Sequence, residues 1–222
     1  MKVINIYALN INDVKDEFID LMHTDVKEKI YSIKNEKARK ESIASEILLY
    51  YAVKCLKPEN ISLPPLRQID EFGKPYFSLN KNFCFNISHS GDLAVIAVCD
   101  SPIGIDIQKI KNNKTSVAKR ILSDYEKQNF FKMSPEHQVQ SFYEYWVLKE
   151  SIVKAMGVGI RYGLNKFSIK LGDKPELKAG YTGEIQIFIH ELHKLYKLGV
   201  CILSKDEYKI FVNTLSYNQI MM

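Results

Sequence analysis

The sequence lacks the features that would tie it to a membrane, an oxidising compartment or a zinc site. No apolar run approaches the ~20 residues that a spanning helix needs. The four cysteines, Cys55, Cys84, Cys99 and Cys201, contain no C-x-x-C pair, and no histidine stands at a zinc-ligand spacing. Cys84 and Cys99 lie in apolar, strand-like runs, where a buried free thiol is the ordinary state, so a reducing cytoplasmic setting is expected. Internal repeats and low-complexity segments are missing. So is the regular strand–helix alternation of a parallel α/β sheet. Charge of one sign is in only small excess: 31 Lys and Arg against 26 Asp and Glu give +5, with a pI near 8.8. That balance favours anionic ligands or an acidic partner surface. The lysines are dispersed and most aromatics fall at core positions, which argues against a nucleic-acid-binding face.

What is present is ample for a folded core. The 222 residues are 46% hydrophobic and 26% charged, enough for one large domain or two closely packed ones without covalent staples. The opening MKVINIYALN sets Ile4, Ile6 and Ala8 on one face and Val3, Asn5 and Tyr7 on the other. This is a strand pattern rather than that of a signal peptide. Helical spacing follows over NDVKDEFIDLMHTDVKEKIYSI and again at Ile43, Ile47, Leu48 and Tyr51. NFCFNISHSGDLAVIAVC reads as a strand, a turn at SHSGD and a second strand. IGIDIQKI is a further strand. From Val117 to Gly157 the pattern is helical, broken near Ser134–Pro135, with Asp124 and Glu126 after Ser123 marking a helix start. The tail, KFSIKL, GEIQIFIH, LGVCILS and YKIFVNTLSY, is strand-rich. The expected class is α+β in two halves, 1–101 and 102–222.

Three stretches carry charge where chemistry is expected. In IGIDIQKI, alternation puts Asp106 and Gln108 on the face opposite the isoleucines. That face is either the wet side of a sheet or a site. In FYEYWVLKESIVKAMG, Glu150 falls within the stripe Val139, Phe142 or Tyr143, Trp146 and Val153. It either pairs with Lys154 at i,i+4 on an exposed helix or shares a divalent cation with Asp106. Hard oxygen donors make that cation Mg²⁺, which commonly takes one or two carboxylates plus substrate phosphates. NISHSGD offers Ser88, His89, Ser90 and turn N–H groups as a phosphate cradle, or is an ordinary hydrophilic turn. Lys74 in FGKP, with Pro75 stiffening it, and Arg39 and Lys40 at a helix head add positive charge.

Taken in order, FGKPYF, FNISHSG, IGIDIQKI, RILSDYE and FYEYWVLKESIVKAMGVGI resemble the Sfp-type 4′-phosphopantetheinyl transferases. The combination of NISHS, GIDI and W-x-x-K-E-x-x-x-K carries the resemblance. It implies two similar α/β halves packed as a pseudo-dimer, a site in the cleft between them and a monomer. It implies transfer of phosphopantetheine from coenzyme A to a serine of an acyl or peptidyl carrier protein, with release of adenosine 3′,5′-bisphosphate. Asp106, Gln108 and Glu150 would hold Mg²⁺ or Mn²⁺. His89, Lys74, Pro75, Ser88, Arg39 and Lys40 would contact coenzyme A, and Lys154 its diphosphate or pantetheine end. His89, Glu150 and Lys154 would act in catalysis, Glu150 taking the serine proton directly or through a metal-bound water. The acceptor serine would lie on an acidic helix. Two departures stand out. Gln108 sits where many members have an acid, and Glu41 where they often have an arginine. The first points to an alternative, a homologue that binds coenzyme A or a carrier protein without turnover.

Overall fold

The structure is a computed structural model and describes residues 1–111, 117–159 and 162–221, less the side chains of Tyr217 and Met221. Ile160, which ends the longest of the matched strings, lies outside them. In chain order the elements are β1 (Lys2–Asn10), α1 (Thr24–Ser32), α2 (Glu36–Leu56), β2 (Gln68–Ile69), β3 (Pro75–Tyr76), β4 (Cys84–Ser90), β5 (Leu93–Cys99) and β6 (Ile103–Lys109). Then follow α3 (Ala118–Ile121), α4 (Asp124–Phe130), α5 (Pro135–Met156), β7 (Ser168–Lys170), β8 (Glu176–Ala179), β9 (Gln186–Leu192), β10 (Tyr196–Ile202), β11 (Tyr208–Leu215) and α6 (Tyr217–Met221). The class is α+β, and the chain divides into two units, residues 1–100 with 207–222 and residues 101–206. Among the described residues no helix is long and apolar enough to cross a membrane.

In the first unit the sheet order is β11-β1-β5-β4. β1, β5 and β4 are antiparallel neighbours, and β11 runs parallel to β1 from Lys2↔Tyr208 to Leu9↔Leu215. The sequence division placed residues 207–222 with the second half; in the structure they complete the sheet of the first. The long helix α2 starts at Asn35, whose side chain accepts from Ala38 N at 2.9 Å, and stops at Lys57 in the left-handed region. Its expected stripe, Ile43, Ile47 and Leu48, is buried and packs in one cluster with Tyr7, Leu9, Phe85, Ala94 and Ile96. Each such aliphatic side chain contributes about 2 kcal/mol by leaving water. β1 is buried on both faces, since Ile4, Ile6 and Ala8 are as inaccessible as Tyr7 and Leu9.

The second unit repeats the plan with its own parts. Its sheet is β6-β10-β9, antiparallel throughout, and its long helix is α5. Ser134 and Pro135 open α5, and Gly157 closes it at φ +68°. The expected helix start at Ser123 is a capping box: Glu126 N donates to Ser123 Oγ, and Ser123 N donates to Glu126 Oε2 at 2.7 Å. Phe142 and Tyr143 are core, with Trp146 packed at 5.6 Å from the Phe142 ring.

Candidate functional site

The face of β6 that carries Gly104, Asp106 and Gln108 is not wet. It lies under α5, and two glycines let the helix come so close. A Cβ on Gly104 would stand 2.0 Å from the Ser151 carbonyl oxygen and 2.4 Å from Ala155 N. A Cβ on Gly199, which pairs with Asp106 from β10, would stand 2.4 Å from the Val147 carbonyl oxygen. No side chain fits at either place, so the helix backbone rests almost directly on the two strands. The residues one turn apart on α5, Glu150 and Lys154, are thereby brought to the β6 residue next in line on the same face.

Asp106 is 3% exposed. Lys154 Nζ donates to Asp106 Oδ1 at 2.6 Å and to the Ile105 carbonyl at 3.1 Å. Gln108 Nε2 donates to the other carboxylate oxygen, Oδ2, at 3.2 Å. Burial, and then the negative charge of Asp106, push the Glu150 carboxyl above the usual carboxylate range, while Lys154 pulls it back. The sequence offered Glu150 two roles, and the i,i+4 pairing with Lys154 on an exposed helix is not what forms: Lys154 is hydrogen-bonded to Asp106, and Glu150 is half-buried. Two carboxylates, one ammonium and one amide share a small, mostly dry space, with a net charge of −1.

That donor set suits a divalent cation. Every oxygen in it is hard, and the repulsion between Asp106 and Glu150 is relieved by a positive charge between them. Among the described residues no three His, Cys, Asp or Glu gather as a preformed metal cage. Two carboxylates with the Gln108 amide leave coordination positions for water or substrate oxygens, which is how Mg²⁺ is commonly held.

One residue of the α5 motif had no role in the sequence reading. Lys149 is fully buried and donates to Glu126 Oε2 at 2.5 Å, to the Ile121 carbonyl at 2.8 Å and to the Phe167 carbonyl at 2.9 Å. Glu126 in turn accepts from Ile169 N at 2.8 Å. All three ammonium protons are used. Burial lowers the Lys149 pKa, with the charge of Glu126 opposing. The pair fixes α5 to the ends of α3 and α4 and to β7. A lysine directly before Glu150, on a helix whose other buried positions carry no charge, was the signal available in the sequence.

The remaining expected residues lie in the first unit. Ser88, His89 and Ser90 are not in a turn but in β4, which runs straight to a two-residue hairpin at Gly91–Asp92. The backbone cradle expected of that stretch is therefore replaced by strand alternation, with Ser88 buried and His89 exposed on the opposite face. His89 Nδ1 stands 3.5 Å from Glu41 Oε2 on α2. Lys74 and Pro75 follow a turn in which Asp70 accepts from Phe72 N and Lys74 N at 2.9 and 2.8 Å. Gly73 supplies that turn with φ +85°. Arg39 and Lys40 are directed to Asp16 and Glu36, at 3.5 and 3.1 Å. They do not line the cavity beside His89, which takes Ala38, Glu41, Ser42 and Ser45 from the same helix.

Comparison with known families bears on both units. Residues 102–212 match the model of the 4′-phosphopantetheinyl transferase superfamily. The chain belongs to that superfamily. Residues 15–101 match the model described as 4′-phosphopantetheinyl transferase, N-terminal. A 4′-phosphopantetheinyl transferase of Bacillus subtilis is 38% identical over 141 residues, covering 62% of this chain and 63% of the relative. The transferase Sfp of Bacillus subtilis strain 168 is 31% identical over 154 residues, covering 68% of each. The transferase gsp of Aneurinibacillus migulanus is 29% identical over 189 residues, covering 84% of this chain and 78% of that one. The match thus spans a little under two thirds of the first of these relatives. It is of the Sfp type that the motifs implied.

Proposed function

We propose that the protein transfers 4′-phosphopantetheine from coenzyme A to a serine hydroxyl of an acyl or peptidyl carrier protein. The observation that carries this reading is the cluster of Asp106, Glu150, Lys154 and Gln108 under α5, on the motif strings of the superfamily. In the reaction, the serine oxygen forms a bond to the β-phosphorus of coenzyme A. The bond from that phosphorus to the bridging oxygen breaks, and adenosine 3′,5′-bisphosphate leaves with the electron pair. Lys154, whose ammonium sits between the strand and the helix, is the charge that meets the diphosphate. Glu150 takes the serine proton, directly or through a water, because its carboxylate stands beside the place where the acceptor hydroxyl must arrive. Mg²⁺ or Mn²⁺ bound by Asp106, Glu150 and the Gln108 amide oxygen would neutralise charge on the diphosphate. Asp106 orients Lys154 in the meantime, and Gln108 fixes the Asp106 carboxylate. His89, Lys74 and Pro75 are assigned to the coenzyme A phosphates and nucleotide. Arg39 and Lys40 are left to long-range attraction of the anion. The net charge of +5 supports approach of an acidic carrier helix.

The test is intact-mass analysis of apo fatty-acid and peptidyl carriers incubated with the protein, coenzyme A and Mg²⁺, with and without EDTA. The expected result is a gain of one phosphopantetheine on at least one carrier, abolished by EDTA and by Asp106→Asn. Gln108 in place of an acid supports the second reading, binding without turnover. Coenzyme A binding with no mass gain on either carrier would select that reading.

A further inference from the structure

The hairpin that carries His89 also carries two thiols at its open end. Cys84 is the first residue of β4 and Cys99 the last of β5, and the register sets them directly opposite one another. Opposed residues of an antiparallel pair point to the same face. Phe85 and Val98, the next pair along, pack with α2, so both thiols point to the other face of the sheet. The Cα atoms of opposed residues lie about 5.5 Å apart in a hydrogen-bonded pair and about 4.5 Å apart in a non-hydrogen-bonded one. A disulfide spans roughly 4.4–6.8 Å between Cα atoms, so either spacing admits one. The other cysteines are placed differently. Cys55 is on α2, and Cys201 has Gly104 and Ile187 opposite it.

The two thiols differ in access. Cys84 is partly exposed and donates through Sγ to the Lys81 carbonyl at 3.3 Å, whereas Cys99 is 7% exposed. Burial pushes the Cys84 thiol up, Lys74 pulls it back, and Asp100 adds to the rise. Little of it is thiolate at neutral pH, so the pair rests reduced where glutathione is reduced. We infer that Cys84 and Cys99 form a redox-sensitive dithiol that a small disulfide of the glutathione class closes into a cross-strand bridge. Cys84, the accessible one, reacts first. Its thiolate forms a bond to one sulfur of the oxidised donor, and the other donor sulfur leaves as a thiolate. Cys99 then loses its proton to solvent and bonds to the Cys84 sulfur, expelling the second glutathione thiolate. Two protein thiols lose two electrons, and one donor disulfide is reduced to two thiols. The closed form encloses residues 85–98, so it locks the register of the whole β4–β5 hairpin, His89 included.

The experiment uses the full chain with the exposed Cys55 replaced, Cys55→Ser, equilibrated at about pH 8 with an excess of oxidised over reduced glutathione. Denaturation in N-ethylmaleimide then labels every remaining thiol, and intact mass counts the labels. The expected product carries one label, on Cys201, and no glutathione; dithiothreitol restores three labels. Adding Cys99→Ser should trap Cys84 as a stable mixed disulfide, one glutathione heavier, because the thiol opposite is gone. Adding Cys84→Ser should leave the buried Cys99 unmodified. The oxidised form should melt at least about 4 °C above the reduced one, since the closed loop restricts the unfolded chain. Three labels after oxidation, a glutathione retained in the Cys55→Ser protein, or a bridge mapped to Cys201 overturns the inference. So does a lower melting temperature for the oxidised form, which would mean that the bridge distorts the sheet.

Discussion

Glu150 shows how much a single position can cost the fold it serves. Its carboxyl is raised by burial and by Asp106, so the folded state binds its proton more tightly than the unfolded chain does. The destabilisation is therefore absent below the unfolded pKa and grows as pH rises toward and through the folded value, where the charge must be held. In metal-free buffer, Glu150→Gln is expected to melt higher than the wild type at pH 7.5. The difference should vanish near pH 4, and thermal unfolding across that range checks it. The same variant should lose at least about a hundredfold in kcat, the scale of one general base. Lys149 is the opposite case, a buried charge whose partners are all in place. Lys149→Met strands Glu126 and is expected to cost about 3–5 kcal/mol in urea unfolding. Adding Glu126→Gln removes the stranded charge but keeps only one of the two acceptors, since Ser123 N and Ile169 N bond different oxygens, so it should recover only part of that loss.

At the scale of elements, the position of α5 rests on what Gly104 and Gly199 leave out. The helix contributes Glu150 and Lys154, but the strands decide how near those come to Asp106. Gly104→Ala forces a methyl into the Ser151 carbonyl and must move α5, β6 or both. A loss of about 3 kcal/mol or more is expected from overpacking against backbone, which cannot rotate away as a side chain can. Where Gly104→Ala still folds, the Lys154–Asp106 contact lengthens and kcat should fall more than KM rises, which steady-state kinetics with coenzyme A would read. The start of α4 was apparent from Ser123 with Asp124 and Glu126, and the break before α5 from Ser134–Pro135, because caps are local chemistry; the cap at Asn35 was not read. The SHSGD turn was misplaced for a related reason. Polar residues in a strand look like a turn when the helix that accommodates one face is far away in sequence.

For the whole molecule, the most consequential pairing joins its two ends. β11 runs parallel to β1 over eight residues, and Leu215 and Ile220 enter the core that α2 covers. A chain ending at Asp206 leaves β1 as a bare, largely apolar edge and removes those two core residues. It is expected to aggregate or to lose the cooperative unfolding of the first unit, as size-exclusion chromatography and urea titration followed by circular dichroism would show. The charge pattern also belongs at this scale. The net +5 is spread over the chain, while the second-unit cluster carries −1 and the first-unit cavity sets three carboxylates against three cationic groups.

By itself the sequence determined the local and periodic features: the strands of alternating isoleucines, the two long helices, the helix start at Ser123, and the isolation of Asp106, Glu150 and Lys154 as chemically conspicuous. These follow from spacing within a dozen residues, which the chain states directly. Only the tertiary structure decided that the Asp106 face lies beneath α5 rather than in water, and that Lys154 bonds to Asp106 instead of to Glu150. Nor could spacing tell that Lys149 is locked to Glu126, that Glu41 stands against His89, or that the last strand completes the first sheet. Each of those depends on residues 20 to 200 positions apart meeting at van der Waals distance, and on glycines whose missing side chains matter only once a partner backbone has arrived.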